Sequence, residues 1–192
     1  MVKESLDALI IFSDEYRSGN STYFTNYKPI NVIEESPQLI TLVKDEDPVV
    51  FIGRLNAYAA QDKIPIADVR SISEIESQIG SVFSSISNDK SRIGIIGDNL
   101  LPIKIFDSIK TVLSDVEYVE CGNLLSDIRS IKSDSEIKLL SKAASINDYV
   151  LSQIVNKCEV GMTEIQIAAE AEYIGRKMGS DLGSATVIMS GP

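Results

Sequence analysis

Chemistry in a protein needs side chains that donate, accept or ligate, and this chain of 192 residues has a lopsided stock of them. It carries 28 Asp and Glu, 18 Lys and Arg, two cysteines and no histidine. Without histidine it has no imidazole base, no His-dependent nucleophile triad and no imidazole metal ligand. A metal here would have to be held by carboxylates and backbone oxygens, which suit Mg, Ca or Mn. The acidic groups with the spacing to attempt this are Glu34-Glu35 and Asp45-Glu46-Asp47. Both sit beside prolines, Pro37 and Pro48, so we read them as solvated turn charges. Cys121 and Cys158 fit no CxxC spacing and read as free thiols. Gly94-Ile95-Ile96-Gly97-Asp98 lacks the GxGxxG pattern of a phosphate cradle and reads as a strand followed by a tight turn. Arg129 and Lys132, flanked by Asp127, Asp134 and Glu136, read as a charged hinge with no base or nucleophile beside them. The aromatic cluster Tyr23-Phe24-Thr25-Asn26-Tyr27 reads as core packing.

The elements that must position these groups follow from hydrophobic period. Residues 6–13 (LDALIIFS), 37–43 (PQLITLV), 48–52 (PVVFI), 66–70, 92–97 (RIGIIG) and 116–119 are short apolar runs that predict strands. The second and third flank Asp45-Glu46-Asp47 and predict a hairpin. Residues 54–62, 73–86, 102–113 and 124–129 have helical spacing, with Ser73 and Glu76 placed as a capping box. Strands alternating with helices predict an α/β domain whose mixed sheet has helices on its faces. A different pattern follows residue 127. Ser133 with Glu136 opens a long helix striped by Ile137, Leu140, Ala144, Leu151 and Ile154. Thr163 with Gln166 opens a second helix, with Gly179 at its end, and residues 185–189 (ATVIM) predict a strand. Two helices and a strand cannot close a core of their own, so residues 128–192 read as a linker and the beginning of a second domain, after a first domain over 1–127.

The net charge of −10 excludes a general nucleic-acid binder, which needs Lys/Arg clusters against phosphate. No apolar stretch has the ~20 residues that span a bilayer. Neither does the N-terminus carry a secretory signal pattern, so a cytoplasmic protein is expected.

Four segments, in order, resemble the creatinase/prolidase family, the pita-bread hydrolases. Tyr23-Phe24-Thr25-Asn26-Tyr27 resembles the Tyr-Leu-Thr-Gly-Phe/Tyr signature of the N-terminal domain, with Asn26 in place of glycine. Arg129-Ser130-Ile131-Lys132-Ser133 with Glu136-Ile137 resembles the Arg-x-x-Lys-Ser-x-x-Glu-Ile junction. Val160-Gly161-Met162-Thr163-Glu164 resembles the turn between the first two catalytic-domain helices. Residues 185–192 resemble the first catalytic strand, which in many members runs into a Ser-Gly segment and then a catalytic histidine.

The resemblance implies a ribonuclease H-like N-terminal domain followed by two helices and one strand of a pita-bread α+β domain. It implies a homodimer and a peptide substrate. The full-length enzyme is expected to hold two divalent ions (Mn, Co or Zn) on two Asp, one His and two Glu, activating a water against an Xaa-Pro bond. None of those ligands transfers to this chain, which by itself is expected to be inactive. Tyr27 and Lys28 are the candidate substrate-binding contacts. Three readings stay open: the N-terminal portion of an Xaa-Pro dipeptidase or aminopeptidase P, a creatinase-type hydrolase fragment, or a non-catalytic module that binds peptides or proteins, like relatives in histone-chaperone complexes.

Overall fold

The computed structural model describes residues 4–29, 36–86, 90–181 and 186–191. The chain divides into two compact units, Met1–Arg129 and Ser130–Pro192.

The first unit is built on one six-stranded sheet in the order β4-β3-β2-β1-β5-β6. Its strands are β1 (Ala8–Ser13), β2 (Gln38–Val43), β3 (Val49–Ile52), β4 (Asp68–Ser71), β5 (Arg92–Ile96) and β6 (Glu117–Glu120). β2 runs antiparallel to both β1 and β3, while β3 pairs with β4, and β1 with β5 and β5 with β6, in parallel. The expected hairpin is β2–β3, turning through Asp45 at φ 62°. Helices α1 (Gly19–Thr25), α2 (Arg54–Ala60), α3 (Ile75–Val82), α4 (Ile103–Val112) and α5 (Gly122–Ser130) flank the sheet.

The central strand shows why residues 6–13 are a continuous apolar run. Side chains alternate across a strand, and β1 is covered on both faces. Ala8, Ile10 and Phe12 pack with Ile75, Ile79, Val82 and Phe83 of the α3 segment and with Ile109 and Leu113 of the α4 segment. Leu9 and Ile11 pack on the other face with Tyr27, Ala60 and Leu125. Each large side chain buried this way contributes about 1.5–3 kcal/mol. Gly97, at φ +81°, follows β5, and a Cβ there would lie 2.4 Å from the Phe12 carbonyl oxygen. The glycine pattern at 94–97 thus serves strand packing and a tight turn.

Two expectations need correction. Ser73 and Glu76 form no capping box. A 3-10 turn over Ile72–Glu74 leads into α3, whose N-cap is Glu74. The Ser73 hydroxyl instead pairs with Ser71 Oγ at 2.8 Å, and Glu76 accepts from Ser108 Oγ at 3.3 Å. The chain is still leaving β4 at Ser71, which displaces the helix start past Ser73.

In the second unit α6 (Asp134–Lys157) and α7 (Glu164–Lys177) both open on complete capping boxes, Ser133–Glu136 and Thr163–Gln166. A salt bridge from Lys157 Nζ to Glu170 Oε2, 2.7 Å, joins the two helices. The second correction is the strand expected over 185–189. Residues 186–191 form no ladder, because a strand needs a paired backbone and none lies beside them among the described residues. Position 185 falls outside the described residues.

Candidate functional site

The sequence-predicted contacts, Tyr27 and Lys28, follow α1 directly. That helix ends at Asn26, which adopts φ 49°, ψ 25° and donates its N–H to the Thr22 carbonyl. This is the left-handed conformation that glycine favours and asparagine tolerates. Asn26 thus takes a backbone conformation that a glycine at this position would also accept.

The turn separates the two candidates. Tyr27 is buried and Lys28 is exposed. The Tyr27 phenol donates to Asn56 Oδ1 at 2.9 Å, and Asn56 Nδ2 donates to Ser36 Oγ at 2.9 Å. The Ser36 N–H in turn donates to Glu15 Oε2 at 3.1 Å. This polar chain joins the segments after α1 and β1, the start of α2 and the approach to β2. Burial raises the Tyr27 phenol above its ordinary value, so it remains a neutral donor. Below it, Thr25 Oγ1 donates to the Ser21 carbonyl at 2.8 Å, and Ser13 Oγ accepts the Ser21 N–H at 3.1 Å. The result is a rigid anchor under an exposed lysine.

Gln38 lies beside this network. Its cross-strand partners are Ser13 and Ile52. Its side chain is buried, and neither Oε1 nor Nε2 has a hydrogen-bond partner among the described residues.

On α5, Arg129 Cζ lies 5.7 Å from the Tyr23 ring centroid, with Nη1 3.5 Å from Asn20 Oδ1. Tyr23 stacks edge-on against Phe24 at 5.8 Å. The aromatic cluster is therefore core at Tyr27 and a cation–π seat for Arg129 at Tyr23. Lys132 Nζ bonds the Ser130 carbonyl at 3.2 Å. Asp14 is gripped by Arg17. Burial pushes its carboxyl up, and hydrogen bonds and charge from Arg17 outweigh that and hold it below the ordinary range.

The other candidates stay apart. Asp45-Glu46-Asp47 is an exposed turn, and Glu34-Glu35 lies outside the described residues. Cys121 is half-buried and Cys158 exposed, both as free thiols. Among the described residues no three Cys, Asp or Glu side chains converge as a metal site. The donor set does not fit the ions the resemblance implies. A groove of about 410 Å³ between α3 and α4, lined by Glu76, Lys104, Asp107, Ser108, Thr111 and Val112, includes none of the candidate residues.

Asn56, Ser36 and Gln38 are absent from any sequence-based list of candidates. Asn56 sits in a helix 29 residues from Tyr27, and no local spacing marks such a pair.

The profile of the Creatinase/Prolidase N-terminal domain matches residues 1–131. An Xaa-Pro dipeptidase from Pyrococcus horikoshii is 25% identical over 197 residues, covering 100% of this chain and 50% of its own length. An uncharacterized peptidase from Bacillus subtilis is 29% identical over 148 residues, 75% of this chain and 40% of its own. Among solved structures, the X-Pro aminopeptidase from Thermotoga maritima matches with a TM-score of 0.76 at 19% identity, over 94% of this chain and 48% of that one. At that identity the likeness is one of fold. The chain spans half or less of the length of these curated relatives.

Proposed function

The chain belongs to the creatinase/prolidase N-terminal domain family, and from that premise we propose that it is the N-terminal portion of an Xaa-Pro dipeptidase or aminopeptidase P-like hydrolase. Residues 1–127 are assigned as the N-terminal domain, and 128–192 as the linker and the beginning of the catalytic domain. The observation that carries this reading is the alignment of the whole chain with half of an Xaa-Pro dipeptidase. The capped starts of α6 and α7, which fall on the junction and turn motifs, support it.

The first unit's role is dimerisation and covering the active site of a cytoplasmic homodimer. Lys28 is the group that meets substrate, since an exposed ammonium can pair with a peptide carboxylate. Tyr27 acts through it, as the anchored residue that fixes its place. The metal-dependent step belongs to ligands outside the described residues of this chain.

The test is the coding sequence beyond Pro192 with a matched assay. A downstream series of Asp, Asp, His, Glu and Glu is expected, together with metal-dependent Xaa-Pro cleavage by the longer protein and none by the 192-residue chain. Turnover by the 192-residue chain above a metal-free control sinks the division of labour. A histidine without the metal carboxylates makes the protein a creatinase-type hydrolase, and a stop codon makes it a binding module.

A further inference from the structure

Glu164 and Ser190 lie 26 residues apart and meet at one oxygen. The Ser190 N–H donates to Glu164 Oε1 at 2.6 Å, and the Ser190 hydroxyl donates to the same oxygen at 2.8 Å. Among the described residues these are the only hydrogen bonds made by 186–191. No ladder pairs that segment among the described residues, and this grip is the hydrogen-bonded tie it has to the start of α7. Hydrogen bonds to a carboxylate are short and about twice as strong as neutral ones.

The helix starts explain why Glu164 is available. A helix leaves its first N–H groups unpaired, and a capping box meets two of them. At α6 the acid itself does this, with Ser133 N and Oγ each donating to Glu136 Oε2 at 2.7 Å. At α7 a glutamine takes that place, with Thr163 N at 2.9 Å and Oγ1 at 3.2 Å from Gln166 Oε1. Glu164, at the first helical position, has no capping duty. Its carboxylate makes with Ser190 the grip that Glu136 makes with Ser133, a backbone N–H and the same residue's hydroxyl on one oxygen. The contact is thus a cap-like clasp closed across 26 residues. Gly191 follows at φ 101°, a backbone conformation that glycine accepts without strain.

We infer that Glu164 is a positioning residue whose carboxylate clasps Ser190 and fixes the Ser190-Gly191 segment to the start of α7. What the clasp serves rests on the peptidase reading, in which the chain after Ser190 leads to catalytic groups. The clasp itself rests on the two bonds.

Amide exchange measured by NMR on the 192-residue chain reads it directly. Ser190 is expected to exchange at least about tenfold below its intrinsic rate. Glu164→Ala removes that protection, while Glu164→Gln, which keeps an acceptor oxygen, retains much of it. Gln166 still caps α7 in both variants, so the helix amides report that the fold persists. Intrinsic-rate exchange of Ser190 in the native chain overturns the clasp, as does protection unchanged in Glu164→Ala. In the longer enzyme, Glu164→Ala is expected to lower kcat about tenfold or more with KM changed less than about twofold, and Glu164→Gln to restore it. Unchanged kcat in a variant that has lost Ser190 protection overturns the positioning role. Absence of Xaa-Pro turnover by the native longer protein overturns the peptidase reading, and the Ser190 amide then decides the clasp alone.

Discussion

Tyr27 and Asn56, 29 residues apart, share a buried hydrogen bond of 2.9 Å from the phenol to Oδ1. It ties the turn after α1 to the first turns of α2, and with it the backbone that carries Lys28. Removing one member leaves the other desolvated, which costs more than the net value of the bond. Tyr27→Phe is expected to destabilise the chain by about 1 kcal/mol and Asn56→Leu by about 2–3 kcal/mol. Urea unfolding of the single and double variants tests this. A double variant whose loss equals the sum of the singles would show that the two are not coupled.

Gln38 presents the opposite case. Its amide is buried with both polar atoms unpartnered among the described residues, so the native residue carries a desolvation cost that no bond there offsets. Gln38→Met keeps the length and removes the polar atoms. It is expected to leave stability unchanged or raise it by about 1–2 kcal/mol. A loss of more than about 1 kcal/mol in the urea midpoint contradicts this.

The difference between these two cases and the rest of the chain is one of range. Helix starts at Ser133 and Thr163 were legible because a capping box is a rule about four consecutive residues. At Ser73 the same rule misled, because the chain was still leaving a strand. The double-sided burial of β1 was legible in its unbroken apolar run. Pairing of β1 with β5 was not, since Ile10 and Ile95 meet from 85 positions apart. Gln38 looked like any strand residue, and only the packed sheet shows its amide stranded. The expected strand at 185–189 had the right composition, but a strand exists only against a partner.

Tyr118 gives a pH signature. Its ring packs edge-on against Phe106 at 5.3 Å, and its hydroxyl donates to the Leu113 carbonyl at 3.0 Å. Burial pushes its phenol up from 10.0 to about 12. The neutral form is favoured in the folded state, so its contribution to stability is complete below pH 10. That contribution falls away as the pH rises through about 12. The chain has seven tyrosines and no tryptophan, so tyrosinate absorbance reads them cleanly. A late-titrating tyrosine is expected that disappears in Tyr118→Phe, along with part of the alkaline loss of stability. A titration curve unchanged in Tyr118→Phe contradicts the assignment.

The second unit should be the less protected one. On α6 the predicted stripe is open, with Ile137 50%, Leu140 56% and Leu151 63% exposed. The helix is held by its capping box, its length, partial packing against α7 through residues such as the half-buried Ile154, and the Lys157–Glu170 bridge, and an exposed bridge of that kind is worth about 0–1 kcal/mol. Helices with one thinly covered face stay close to the marginal stability of isolated helices in water. Central α6 amides are therefore expected to exchange at least about a hundredfold faster than those of β1 and β5, whose opening requires the whole sheet to unfold. Raising the protein concentration should slow α6 exchange if a second copy covers the stripe, because association stabilises by mass action. Uniform protection of α6 and β1 in a chain shown to be monomeric would mean that something within the chain already covers Ile137, Leu140 and Leu151.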